Sequence, residues 1–239
     1  MNIPFFQKIY VAVSEARAED YQEFISSRKL VTNNHKMSLM WDLTNTNIKE
    51  RLISEDIEIA VAKQGCWGFL LILDKKENCL YTLMNNKRYE EIILNPKKAP
   101  LYLQALVILN EELGFSNTPL FDFEDDNNKL KLLLNKLCNN FLSNDDFSKI
   151  HYNIITFSTE NDSVTSLELN ILDKELNQLK RINLTDLITQ PIMPNNVNES
   201  NFVENQIPML KLKKKAETRK GEKEKVSIKE NISDSKLQA

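Results

Sequence analysis

IEIAVAKQGCWGFLLILDKKENCLYTLM, residues Ile57–Met84, decides the fold. Ile57–Ala62 and Trp67–Leu73 are rich in β-branched and aromatic residues, and Lys63-Gln64-Gly65 splits them, which is a hairpin signal. Lys75–Asn78 is a second polar turn, and Cys79–Met84 a third apolar run. The segment reads as a three-stranded antiparallel meander. Trp67–Leu73 is almost continuously apolar, which predicts a central strand covered on both faces.

Upstream, the period changes to that of helices. Pro4–Ala16 places Phe5, Ile9, Ala12 and Val13 on one stripe, and Ala18–Leu30 does the same with Tyr21, Phe24 and Ile25. Ser38–Ile53 is a third helix with Trp41, Asn45, Ile48 and Leu52 on one face. Downstream, Asn85–Leu94 reads as a helix ended by Asn95-Pro96. Pro100–Leu113 is one helix carrying Leu103, Leu106, Val107, Asn110 and Leu113, with Gly114 at its C-cap. Asn128–Leu142 is another. His151–Ser158 and Val164–Leu172 form a second hairpin, whose Glu168 and Asn170 predict one wet face. Leu179–Ile182 adds a short strand and Leu184–Ile188 a helical turn. The fold class is α+β: N-terminal helices, an antiparallel meander and a second hairpin joined in one sheet, covered by helices.

Composition changes at Pro191. Residues 1–190 read as a single domain, and 191–239 as a disordered, Lys-rich tail with too little apolar surface to offset its ordering entropy. From Lys211 to Ala239 ten Lys/Arg face five Asp/Glu, an excess of +5; with −3 on the whole chain, residues 1–210 carry −8. Four glycines in 239 residues argue against glycine-rich phosphate loops and dinucleotide turns, so no cofactor is expected. Three scattered cysteines do not make a disulfide framework and read as buried thiols. No stretch approaches the ~20 apolar residues of a membrane span, and the N-terminus lacks a leader pattern. The expected compartment is the cytoplasm, with no membrane contact. Abundant Asn, Lys and Ile fit a low-GC bacterium or its phages and plasmids.

Three sets of residues carry candidate chemistry. Trp41, Asp42, Asn45 and Asn47 lie within seven residues of one helix. An amide at Asn45 beside Trp41 and Ile48 must find hydrogen bonds, because an unmet one costs about 1–3 kcal/mol. The segment reads as either a tie between buried backbones or a surface presented to a partner. Glu58, Asp74 and Lys76 make a second set: an acid on a strand and a D-x-K spacing at the end of the next. Paired carboxylates would hold a divalent cation and the lysine would stabilise an attacked phosphate. The competing reading of Asp74–Asn78 is an ordinary turn. Lys211, Lys213, Lys214, Lys215, Arg219 and Lys220 make the third, which would give a weak, salt-sensitive contact with nucleic acid or an acidic protein. His35 and His151 have no metal-ligand spacing, and the acidic stretch Phe121–Asn128 lacks the glycine and closing glutamate of a calcium loop, so no metal site is expected.

The order helix, acid, hairpin, acid-x-lysine, helix is similar to the restriction-endonuclease-like fold, which implies a divalent-metal-dependent nuclease or an inactive relative of one. Trp41-Asp42-x-x-Asn45-Thr46-Asn47, Tyr81–Met84, Lys87-Arg88-Tyr89, Leu101–Leu106 and Leu109-Asn110 together resemble an uncharacterised family of low-GC Gram-positive bacteria and their mobile elements. That resemblance spans Phe6–Ile188 and implies an accessory protein without a known activity. The sequence thus predicts a non-enzymatic binding or regulatory protein of a mobile element, acting in defence, counter-defence or gene control through a protein partner. The nuclease is the alternative.

Overall fold

A computed structural model describes residues 1–28, 31–32, 34–113, 124–139 and 149–188. The Lys-rich stretch from Lys211 to Lys220, Gly114 and residues 115–123 lie outside them.

The meander forms as the alternation dictates. β1 (Ile57–Gln64) pairs antiparallel with β2 (Trp67–Asp74) across a two-residue turn, Gly65-Cys66. Gly65 sits at φ 62°, a conformation that a residue without Cβ takes at little cost. β2 pairs antiparallel with β3 (Cys79–Asn85). The second hairpin is β4 (His151–Glu160) with β5 (Ser163–Leu172), joined by Asn161-Asp162, both at positive φ as a tight hairpin turn requires. β6 (Gln178–Asn183) extends it. The two halves meet where β3 pairs in parallel with β4, from Cys79↔His151 to Asn85↔Phe157. The result is one six-stranded sheet in sequence order.

Helices cover both faces. On one, Leu70, Ile72, Tyr81, Ile155, Phe157, Leu167 and Leu169 pack under α1 (Ile3–Glu15) and α3 (Lys36–Leu52), which contribute Phe5, Phe6, Ile9, Val13, Ile48 and Leu52. On the other, Phe69, Leu71, Leu73, Leu80, Tyr152 and Ile154 pack under α4 (Asn86–Leu94), α5 (Leu101–Leu106) and α6 (Glu124–Cys138). Adjacent β2 residues therefore enter opposite cores, as its unbroken apolar run predicts. Each fully buried Leu or Phe contributes about 1.5–3 kcal/mol of transfer free energy.

Four local expectations are corrected. The second helix divides into a π-helical turn, Ala16–Asp20, and α2, Tyr21–Arg28. The Pro100–Leu113 helix stops at Leu106 and continues as a tighter 3₁₀ stretch, Val107–Leu113, in which Asn110 leaves helical geometry. The cause is its side chain, which Tyr152 and Leu172 hold. The face of β5 bearing Glu168 and Asn170 is not wet: Asn170 is fully buried, and Arg181 of β6 closes over Glu168 with bonds of 2.9 and 2.6 Å while reaching Glu90 of α4 at 2.6 Å. Of the three cysteines only Cys138 is buried; Cys79 is half-buried and Cys66 exposed, all with free thiols. No helix among the described residues is long and apolar enough to cross a membrane.

Candidate functional site

The sheet is not continuous along its length. β2 and β3 pair only at Ile72↔Tyr81, Leu73↔Leu80 and Asp74↔Cys79. Beyond Ile72, β2 runs on beside β1 to Trp67, and beyond Tyr81, β3 runs on beside β4 to Asn85. The strands part, and a groove of about 360 Å³ occupies the split. That volume lies in the range of small-molecule sites. The groove also meets the carboxyl end of β3, where the chain turns from strand to α4, the side on which open sheets with parallel strands place their ligands.

Aromatic and aliphatic side chains form its walls: Trp41 and Met37 from α3, Trp67, Phe69 and Leu70 from β2, Leu83 and Met84 from β3, and Tyr102 from α5. Trp41 and Trp67 meet edge to face at 5.9 Å, and Trp41 meets Phe157 in the same way at 5.5 Å. Phe69 and Tyr102 stack at 4.3 Å. Trp67 keeps 44% of its surface exposed and Met37 66%, an apolar rim that the fold leaves uncovered. Burial pushes the Tyr102 phenol up to about 12, so it enters the groove as a neutral hydroxyl.

The polar groups are few. Asn45, Asn85, Lys87, Arg88 and Glu91 line the groove. Asn85 caps α4, its Oδ1 accepting from the Lys87 N–H at 2.9 Å. Arg88 is committed to Glu91 at 2.9 Å and the Lys98 carbonyl at 3.4 Å. The Lys87 ammonium has no carboxylate within salt-bridge distance among the described residues. The groove thus carries one uncompensated positive charge beside aromatic walls.

The structure separates the sequence candidates. Trp41 and Asn45 line the groove. Asp42 faces solvent, and Asn47 ties helices together: its Nδ2 donates to Asp20 Oδ2 at 2.6 Å and to the Ala12 carbonyl at 3.5 Å. Glu58, Asp74 and Lys76 are each engaged elsewhere. Asp74 is 1% exposed, and its Oδ1 accepts from the N–H groups of Lys76 at 3.0 Å and Glu77 at 3.1 Å, the geometry of a turn acceptor. Glu58 pairs with Lys75 at 2.5 Å and Lys76 with Asp56 at 2.6 Å. Among the described residues no three His, Cys, Asp or Glu side chains converge as a metal site.

Sequence reasoning did not reach Trp67, Lys87 and Tyr102 as site residues. The signal was present in part: Trp67 follows a turn beside Gly68, and Lys87 stands in the first turn of a helix.

A family model described as a family of unknown function, DUF5986, matches residues 1–230. No curated protein and no solved structure matches the chain.

Proposed function

The chain belongs to the DUF5986 family, whose function is unknown, and we propose that it is a non-enzymatic binding protein whose ligand is a flat aromatic group carrying a negative charge. The carrying observation is the opening of the sheet between β2 and β3, lined by Trp41 and Trp67 and by Lys87, which pairs with no carboxylate among the described residues. Aromatic walls favour ring stacking at about 0.5–1.5 kcal/mol per well-placed pair. The Lys87 ammonium, exposed at the edge of the groove, favours an anionic substituent. Asn45 supplies both a donor and an acceptor for a polar edge of the ring. The proposal extends to a cytoplasmic regulatory role in a low-GC bacterium or its mobile elements, which composition and the family resemblance support.

The nuclease alternative has less behind it, because Glu58, Asp74 and Lys76 each have another partner.

A screen of small fragments against the two tryptophan indole N–H signals tests the reading. Fragments with a ring and a carboxylate or sulfonate should shift both signals, and neutral aliphatic ones neither. Lys87→Glu should weaken the anionic fragments selectively. Anionic and aliphatic fragments without distinction, or no shift at either indole, would sink it.

A further inference from the structure

The Arg17 guanidinium is almost wholly enclosed, at 5% exposure. It stands on the π-helical turn Ala16–Asp20, a widened turn found often at functional sites. Both of its hydrogen bonds leave from one nitrogen: Nη1 donates to the Val13 carbonyl at 3.3 Å and to Thr44 Oγ1 at 3.1 Å. The guanidinium carbon lies 4.6 Å from the centroid of the Phe157 ring. The Nε–H and Nη2–H groups point side by side and have no acceptor among the described residues. That edge is the planar fork that grips a carboxylate or phosphate with two parallel hydrogen bonds.

The neighbourhood is short of negative charge. Burial lowers the Arg17 pKa, and only Asp162 opposes it. Asp162 is itself committed to Lys36, at 2.9 Å. Two cations therefore share one carboxylate. Lys36 Nζ lies 5.4 Å from the centroid of the Tyr21 ring, and the Tyr21 and His35 rings are 6.1 Å apart. Tyr21 is 3% exposed, and among the described residues neither its hydroxyl nor the buried His35 Nε2 has a hydrogen-bond partner. The Arg17 fork makes no hydrogen bond among the described residues, and the Tyr21 hydroxyl is a buried polar group left unmet, which is costly.

We propose that this site, distinct from the sheet groove, binds a small oxyanion of single charge, a carboxylate or a phosphate monoanion, held side-on by Arg17 Nε and Nη2 and supported by Lys36 and the Tyr21 hydroxyl. One negative charge brings Arg17, Lys36 and Asp162 to neutrality.

The full chain is titrated with sodium formate, with sodium phosphate, and with sodium chloride at matched ionic strength. Two quantities are followed: the thermal midpoint and the Arg17 Nε–H signal. Formate or phosphate, but not chloride, should raise the midpoint saturably and shift the Nε–H signal. Formate acting alone assigns a carboxylate, and phosphate acting alone a phosphate group. Arg17→Lys keeps the charge without the fork and should weaken the response at least tenfold. Tyr21→Phe, which removes one hydroxyl from the folded protein, should weaken it less. A midpoint and an Nε–H signal indifferent to both oxyanions, or an undiminished response in Arg17→Lys, overturns the proposal.

Discussion

Ile72 and Tyr81 are the last residues that β2 and β3 pair, and the sheet divides beyond them. β2 and β3 stay joined through three residue pairs and through the cores above and below. Continuing the register would set Leu71 opposite Thr82 and Leu70 opposite Leu83, but the ladder does not go on. Parting strands inside a sheet forgoes backbone hydrogen bonds worth about 0.5–1.5 kcal/mol each. Trp41 and Trp67 stand in the gap as edge-to-face neighbours. The groove is a property of where the ladder stops.

Asn110 bridges β4 and β5 just past their end pair, Asn153↔Ile171. Its Nδ2 donates to the carbonyls of Tyr152 and Leu172, both at 2.7 Å, and its Oδ1 accepts from the Tyr152 N–H at 2.8 Å. All of this is buried. Asn110→Ala should lower stability by about 2–4 kcal/mol, because three backbone groups lose their partner. A urea midpoint that falls with unchanged slope confirms it; a loss below about 0.5 kcal/mol contradicts it.

Asp74 is expected to behave as a turn residue. Asp74→Ala should cost about 1–2 kcal/mol through two backbone N–H groups left without their acceptor, and Asp74→Asn, which keeps that oxygen, should cost less. A nuclease centre would show the reverse: Mg²⁺-dependent cleavage abolished by Asp74→Ala without loss of stability. Melting curves and a cleavage assay on the same preparations separate the two.

Alkali should destabilise the fold. Burial pushes the Cys138 thiol and the Tyr102 phenol each up to about 12, and it raises Tyr152 as well. Below about pH 7.5 these groups are protonated in both the folded and the unfolded chain and contribute no pH dependence. Above it, the unfolded chain releases protons that the folded chain retains, the thiol at about 8.5 and the phenols at about 10, so stability falls as pH rises from about 8 towards 12. Each such group costs about 1.4 kcal/mol per pH unit above its ordinary value. The urea midpoint at pH 10.5 should lie below that at pH 8; an equal or higher midpoint contradicts the burial.

Particular residues show how far the sequence could be read. The strands are found within two residues at each end, since a period of two is a local signal. The parallel joining of β3 to β4 is not local: residues 86–150 separate the partners, and nothing in either strand's pattern names the other. On α3 the buried stripe is Met40, Thr44, Ile48 and Leu52, one residue away from the expected Trp41 and Asn45. Thr44 enters the core because its hydroxyl donates to the Met40 carbonyl at 2.6 Å and accepts from Arg17. That displacement turns Trp41 and Asn45 to the edge of the stripe, where the groove forms. They were legible as unusual residues on a helix. Trp67, Lys87 and Tyr102 come from three other elements and join them only in three dimensions.

The most direct test uses 8-anilinonaphthalene-1-sulfonate, a flat aromatic anion, and the two tryptophans as energy donors, since both line the groove. The dye is titrated into the native chain, Trp67→Ala and Lys87→Glu, with each melting temperature recorded. The predicted result is saturable one-to-one binding with energy transfer from tryptophan in the native chain. Both variants should bind at least tenfold more weakly while melting within about 3 °C of it. Equal binding by all three proteins, or no saturable binding by the native chain, would contradict a ligand site at the split between β2 and β3.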